Sequence, residues 1–378
     1  MKYETSTFRH NLNFFRFLMI FVGHIDRLRA IILKYAFRVK GLKSLYISRD
    51  KRIFSSYVVL SFFSMALSVL RPDMLLIFGP LIYGYWHLIS SYKYSSCLNN
   101  SSNQSSNIQR YIIYGLIAIT FLEMCLRFYV RYFNSDILLP NGFIGLTLSI
   151  IYFFILFICY GSFKQIKSFL ACFLIGISIL FLAWNEPLNF VSITLFGHNW
   201  IAFIFWFKFS RSKKNLKVAI YSFLIFILFH LFVLYGVFDS YYYLYEEHFF
   251  VKSGYQKFAW ILAPWSDESI NWMRGLSLYT FGLSMHYFIW LRAIPENIYK
   301  NKTPVSFKKT LISIHYGFGP LLSYLLIFIS IIGTILWLAW FEIGTLVYFF
   351  ISNIHVWTEL SLLFLSFSIF RNTSADTA

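Results

Sequence analysis

The chain has 378 residues, 58% hydrophobic and 22% aromatic but only 13% charged, and a mean hydropathy of +0.62. Soluble domains average about 45–50% apolar and about 25% charged residues, so a soluble enzyme, a disulfide-rich secreted module and a disordered tail are excluded. What remains is an all-α polytopic integral membrane helix bundle, in which the +17 from 33 Lys+Arg against 16 Asp+Glu reports orientation rather than a nucleic-acid partner.

Residues 1–52 carry twelve Lys/Arg against three acids, a net +9. The apolar run Phe14 to Val22 contains Arg16 and leads into His24-Ile25-Asp26-Arg27 without a small-residue cleavage site, unlike a signal peptide. Residues 1–53 are therefore expected to form a basic amphipathic cytoplasmic segment. It would lie on the inner membrane surface with its cations among anionic headgroups.

A transmembrane bundle follows over 54–370. Each span needs about 17–25 apolar residues to cross a hydrocarbon slab of about 30 Å, and ten stretches qualify. They are 54–70, 74–92, 111–130, 140–161, 166–184, 188–208, 217–238, 272–291, 317–341 and 344–370. Arg71-Pro72-Asp73 and Asn185-Glu186-Pro187 mark tight turns, and Pro295-Glu296 is expected to close the eighth span. Cations concentrate in the loops around 209–216 and 292–316, while the loop 239–271 holds five acids against Lys252 and Lys257, a net −3. The positive-inside rule then predicts both termini cytoplasmic, 239–271 as an outer loop and 371–378 as a short cytoplasmic tail. The protein is expected to be integral and multi-pass, in the cytoplasmic (inner) membrane if the cell is bacterial, with membrane lipids as neighbours and no nucleic acid.

Within the loops and spans several features have plain explanations. Residues 95–107 form a Ser/Asn linker, and Cys97, Cys125, Cys159 and Cys172 show no metal spacing. Tyr241-Tyr242-Tyr243, Trp260 and Trp265 in the outer loop suit a membrane interface, with a substrate-gating lid as the sharper alternative. On the third span Glu123, Arg127 and Arg131 recur every four residues. An ion pair near the outer end, with Arg131 snorkelling, explains them; an anion-binding strip for a lipid phosphate or glycan is the functional alternative.

Histidines carry most of the chemical signal. His87, His198, His230, His286 and His355 fall well inside spans, where ionisable side chains are costly and mark sites. The second, sixth, eighth and tenth spans all run from outside to inside. At 1.5 Å per residue, His87, His198, His286 and His355 lie about 15–21 Å below the outer boundary. Four imidazoles at one level on four helices can converge on one point. His355 and Glu359 are i,i+4 and share a helix face, so Glu359 joins the four histidines as an expected metal ligand, or orients an imidazole. Asn199, Trp290, Arg292, Glu123 and Arg127 are candidates for supporting the ligands or touching a substrate. A lone membrane histidine more often bonds a neighbouring helix; His230, in Leu-Phe-His-Leu-Phe, is expected to be of that kind.

Neutral imidazoles with one carboxylate suit iron, with zinc as the other candidate. The expected function is therefore an enzyme acting on an apolar lipid or isoprenoid, in an oxygenase- or desaturase-like reaction. The segment Phe281 to Trp290, FGLSMHYFIW, resembles aromatic, His-bearing segments of bacterial membrane carotene-cleaving oxygenases; that resemblance implies iron held by histidines on several spans. Trp86-His87-Leu-Ile-Ser-Ser91 resembles the Trp-His segment of membrane-bound O-acyltransferases, which implies a metal-free alternative with His as general base. A proton-coupled transporter or a lipid or glycan flippase is the other class, with Gly79-Pro80 and Gly319-Pro320 as helix breaks.

Overall fold

The computed structural model describes residues 12–38, 48–84, 187–210, 213–244 and 266–299, with shorter stretches that include 87, 90–91, 93–94, 262–263, 308, 355–356 and 359. Among the described residues every regular element is helical and no strand occurs. Glu123, Arg127, Trp260, Trp265 and the four cysteines lie outside the described residues.

Helix α1 spans Leu12–Ala36 and α2 spans Arg49–Leu70. The chain turns at Arg71, and Pro72 opens α3, Pro72–Phe78; proline is favoured there because the first helical N–H has no partner in the helix. Arg71 holds Asp73 through two hydrogen bonds of 3.0 and 2.8 Å, which places a carboxylate in the first turn. A π-helical turn, Gly79–Gly84, continues from α3. Helix α4, Pro187–Phe209, also begins on its proline, and α5 follows at Lys213–Leu234. Helix α6 is Ser269–Phe288.

The expected stop at Pro295 is not a helix end. A second π-helical turn, Ile289–Ala293, leads from α6 into α7, Ile294–Tyr299, which contains Pro295. Proline removes one backbone donor and crowds the carbonyl four residues back. The wider π turn just before it provides the extra room, so the chain passes the proline without leaving the helical path.

Helix α6 is buried nearly all round, as expected of a central helix. It packs against α2, α3, α4 and α5. Phe281 sits between Phe226 (5.7 Å between centroids) and Phe229 (4.3 Å), while Tyr57, Phe203, Trp206 and Phe288 interlock on the side facing α2 and α4. Among the described residues two helices, Arg49–Leu70 and Lys214–Leu234, are long and apolar enough to cross a membrane, with mean hydropathies of 2.0 and 2.3.

The two ends of the bundle are held by different polar contacts. At one end, Arg52 on α2 donates twice to Glu296 Oε2 on α7, at 2.9 and 2.7 Å, with both side chains buried. Arg292 Nε lies 2.8 Å from Glu296 Oε1, and Arg49 donates to Asn215 on α5 at 2.6 Å. At the other end Tyr242 donates to Ser277 Oγ (2.8 Å), which donates to the Ser68 carbonyl (2.8 Å). Burial raises the Tyr242 phenol well above its ordinary value, against the Ser277 hydrogen bond, so it remains a donor. Gly236 has φ +75°, and a Cβ there would run into the Asp239 carboxylate that pairs with Arg274; only glycine fits this turn.

Removing one member of a buried ion pair leaves the other without compensation, at about 3–5 kcal/mol. Glu296→Leu is therefore expected to lower stability by about that much, and Arg52→Met/Glu296→Leu to recover most of the loss. Denaturant unfolding of detergent-solubilised protein measures both; an additive double mutant would contradict the coupling.

Candidate metal centre

Four chain segments each bring one histidine to the same buried point. His87 follows the first π turn by one helical turn, and His198 lies midway along α4. His286 lies near the end of α6, just before the second π turn. His355 is in a helical stretch, one turn from Glu359. All five side chains are buried, His286 completely.

One ring nitrogen from each histidine lies within 4.8 Å of those of the other three. His87 Nε2 and His355 Nε2 are 3.0 Å apart. Ring centroids are separated by 4.2 Å for His198 and His286, and by 5.0 Å for His87 and His286. Metal–nitrogen bonds of about 2.0–2.1 Å put adjacent ligand nitrogens about 3.0–3.4 Å apart and opposite ones about 4.2 Å apart. The spread from 3.0 to 4.8 Å thus matches a ligand set around one ion to within about half an ångström. Neither ring nitrogen of His286 makes a hydrogen bond. An orphaned buried polar atom is costly, and coordination would satisfy it.

Glu359 spans two of the rings. Its Oε1 is 3.3 Å from His355 Nε2 and its Oε2 is 3.5 Å from His198 Nδ1. At those distances it can occupy a coordination position beside His355 or fix the orientation of His198. Ser91 Oγ lies 3.0 Å from His355 Nδ1. With Nε2 facing a metal, Nδ1 carries the proton and donates to that hydroxyl, the usual way a metal-bound imidazole is oriented.

The neighbouring candidates divide. Asn199 is buried beside His198, with no hydrogen bond to either side-chain polar atom. It fits because residue 282 is glycine: a Cβ there would lie 2.8 Å from Asn199 Nδ2. Trp290 is fully buried against Phe205, its Nε1 without a partner, and its carbonyl accepts from Ser90 Oγ at 2.6 Å. Arg292 instead pairs with Glu296 at the Arg52 end of the bundle; the π turn separates it in register from His286. His230 bonds the Phe226 carbonyl of its own helix (2.8 Å) within a ring of Trp200, Phe226, Phe229 and Phe281, a packing role.

Three contributors were not anticipated from the sequence. Ser91 could have been found, since it lies four residues from His87 and shares its helix face. Tyr287 places its ring 4.5 Å from that of His87 and closes on Gly79, where a Cβ would lie 3.3 Å from Tyr287 Cε2. The π turns have no sequence signal of their own.

No family model, characterised protein or solved structure matches the chain.

The Gly282–Asn199 contact is testable without any ligand. Gly282→Ala is expected to destabilise the protein by about 1–3 kcal/mol through overpacking, and Asn199→Ala in the same chain to relieve most of that loss. Thermal unfolding of the three variants measures the coupling, and equal losses with and without Asn199 would refute it.

Proposed function

We propose that this chain is a multi-pass membrane protein of ten spans, both termini cytoplasmic, whose core holds one metal ion on His87, His198, His286 and His355 with Glu359 beside it. The observation that carries this reading is the meeting of four buried imidazoles within 4.8 Å. Packing alone seldom gathers four polar rings, since each needs its own hydrogen-bond partner in an apolar core. Composition and loop charge support the spans, and the two long apolar helices are consistent with them. Residues 54–370 would form the bundle and 371–378 the inner tail.

Four imidazoles and a carboxylate favour iron over the hard cations, with zinc as the competitor. A bound iron would supply redox chemistry with dioxygen at membrane depth. The protein's own contribution is to hold the rings, keep water out through the aromatic packing and orient His355 through Ser91. Burial in an apolar bundle favours a lipid or isoprenoid substrate and an oxygenase- or desaturase-like reaction. The metal-free acyltransferase alternative needs one basic histidine and leaves the other three unexplained.

Protein purified in detergent without added metal is expected to retain about one iron or zinc per chain by elemental analysis. His198→Ala, His286→Ala and His355→Ala are each expected to lose it, while His230→Ala retains it. Ser91→Ala is expected to weaken binding about 10–100-fold, as losses of such supporting contacts do. Wild-type protein without metal, or equal loss in His230→Ala, would overturn the metal reading.

A further inference from the structure

Helix α1 has two unlike sides. Asp26 faces the rest of the molecule, accepting the Lys308 backbone N–H at 2.9 Å, with Arg29 3.9 Å away. On the opposite side Phe21, Ile25, Leu28, Ile32 and Tyr35 recur at spacings of four, three, four and three residues. At 100° per residue they fall within an arc of about 80°. Each is between 39 and 60% exposed, and Ile20 and Ile31 widen the strip on one flank. Exposed Arg27 and Lys34 lie along that flank. Arg38, just past the helix end, sets its guanidinium 4.9 Å over the Tyr35 ring.

We propose that this face of α1 docks on an anionic lipid surface, with the helix lying in the plane of the headgroups. Asp26, Arg27 and Arg29 at the middle of the helix oppose its crossing the hydrocarbon. An apolar strip edged by cations on flexible stems is the pattern that settles at the headgroup boundary. The side chains enter the acyl region while Lys and Arg reach back to phosphate. Charge complementarity selects the lipid: α1 itself carries Arg16, Arg27, Arg29 and Lys34 against the single acid Asp26, which favours an anionic surface over a zwitterionic one. Helix α2 likewise exposes apolar side chains, Val58, Val59, Phe62 and Phe63. The inference is independent of the metal centre.

The test uses the full chain with Cys97, Cys125, Cys159 and Cys172 replaced by Ser, and a bimane label on either Leu28→Cys or Ala30→Cys. Each is placed in nanodiscs of phosphatidylcholine alone or with phosphatidylglycerol, containing nitroxide-labelled lipid as quencher. Quenching at position 28 is expected to exceed that at position 30 about twofold or more in the phosphatidylglycerol discs. It should fall in phosphatidylcholine, in high salt, and when Arg27→Gln and Lys34→Gln are added. Equal quenching at the two positions, or equal quenching in both lipids, would overturn the proposal. So would a position-28 label that is shielded from water yet not quenched, which would instead mean that a second copy of the chain covers the face.

Discussion

Four imidazoles in mutual contact inside an apolar core place the strictest demand on this fold. Each ring brings two nitrogens that need partners, and bringing four together multiplies the cost of any error in helix register. The surrounding structure limits that freedom. Helix α6, which carries His286, is enclosed by α2, α3, α4 and α5, so it can neither rotate nor slide without disturbing several aromatic contacts. Gly282 lets Asn199 approach more closely than a Cβ would allow, and at Gly79 a Cβ would press tightly on Tyr287. Tyr287 in turn packs against His87. Register at the centre is therefore set by contacts one turn away from it.

The two π-helical turns belong to the same problem. One precedes His87 and the other follows His286. A π turn carries an extra residue and so rotates everything beyond it relative to a regular helix. In the first case it sets which face His87 presents. In the second, His286 points to the core while Arg292 joins Arg52 and Glu296 at the bundle end. One helical path thereby serves two polar clusters of different character, one of imidazole rings and one of ion-paired Arg and Glu.

The meeting of the four histidines was legible because their level along the expected spans depends only on residue count and helix rise, both available from the chain itself. Glu359 followed from its i,i+4 relation to His355, and the turns expected at Arg71-Pro72-Asp73 and Asn185-Glu186-Pro187 fall where α3 and α4 begin. What was not legible depends on tertiary packing. Arg292 was a candidate for supporting the ligands or touching a substrate, whereas it pairs with Glu296, and the π turn before it has no residue code. Pro295 was expected to end a helix, because its usual penalty is judged for a regular helix and not for one already widened. Ser91 and Tyr287 were overlooked because serine and tyrosine are common in this composition, and only their neighbours make them informative.

His87 and His355 are separated by 268 residues along the chain. At a synthesis rate of about 5–20 residues per second, roughly 13–54 s pass between the appearance of the first ring and the last. Throughout that interval the helix bearing His87 is already made while its partner is not, so the centre can close only after nearly the whole chain has been translated. Loading of the proposed ion on all four rings would then be a late event in biogenesis, with the early helices held by Tyr287, Gly79 and the aromatic core once α6 arrives.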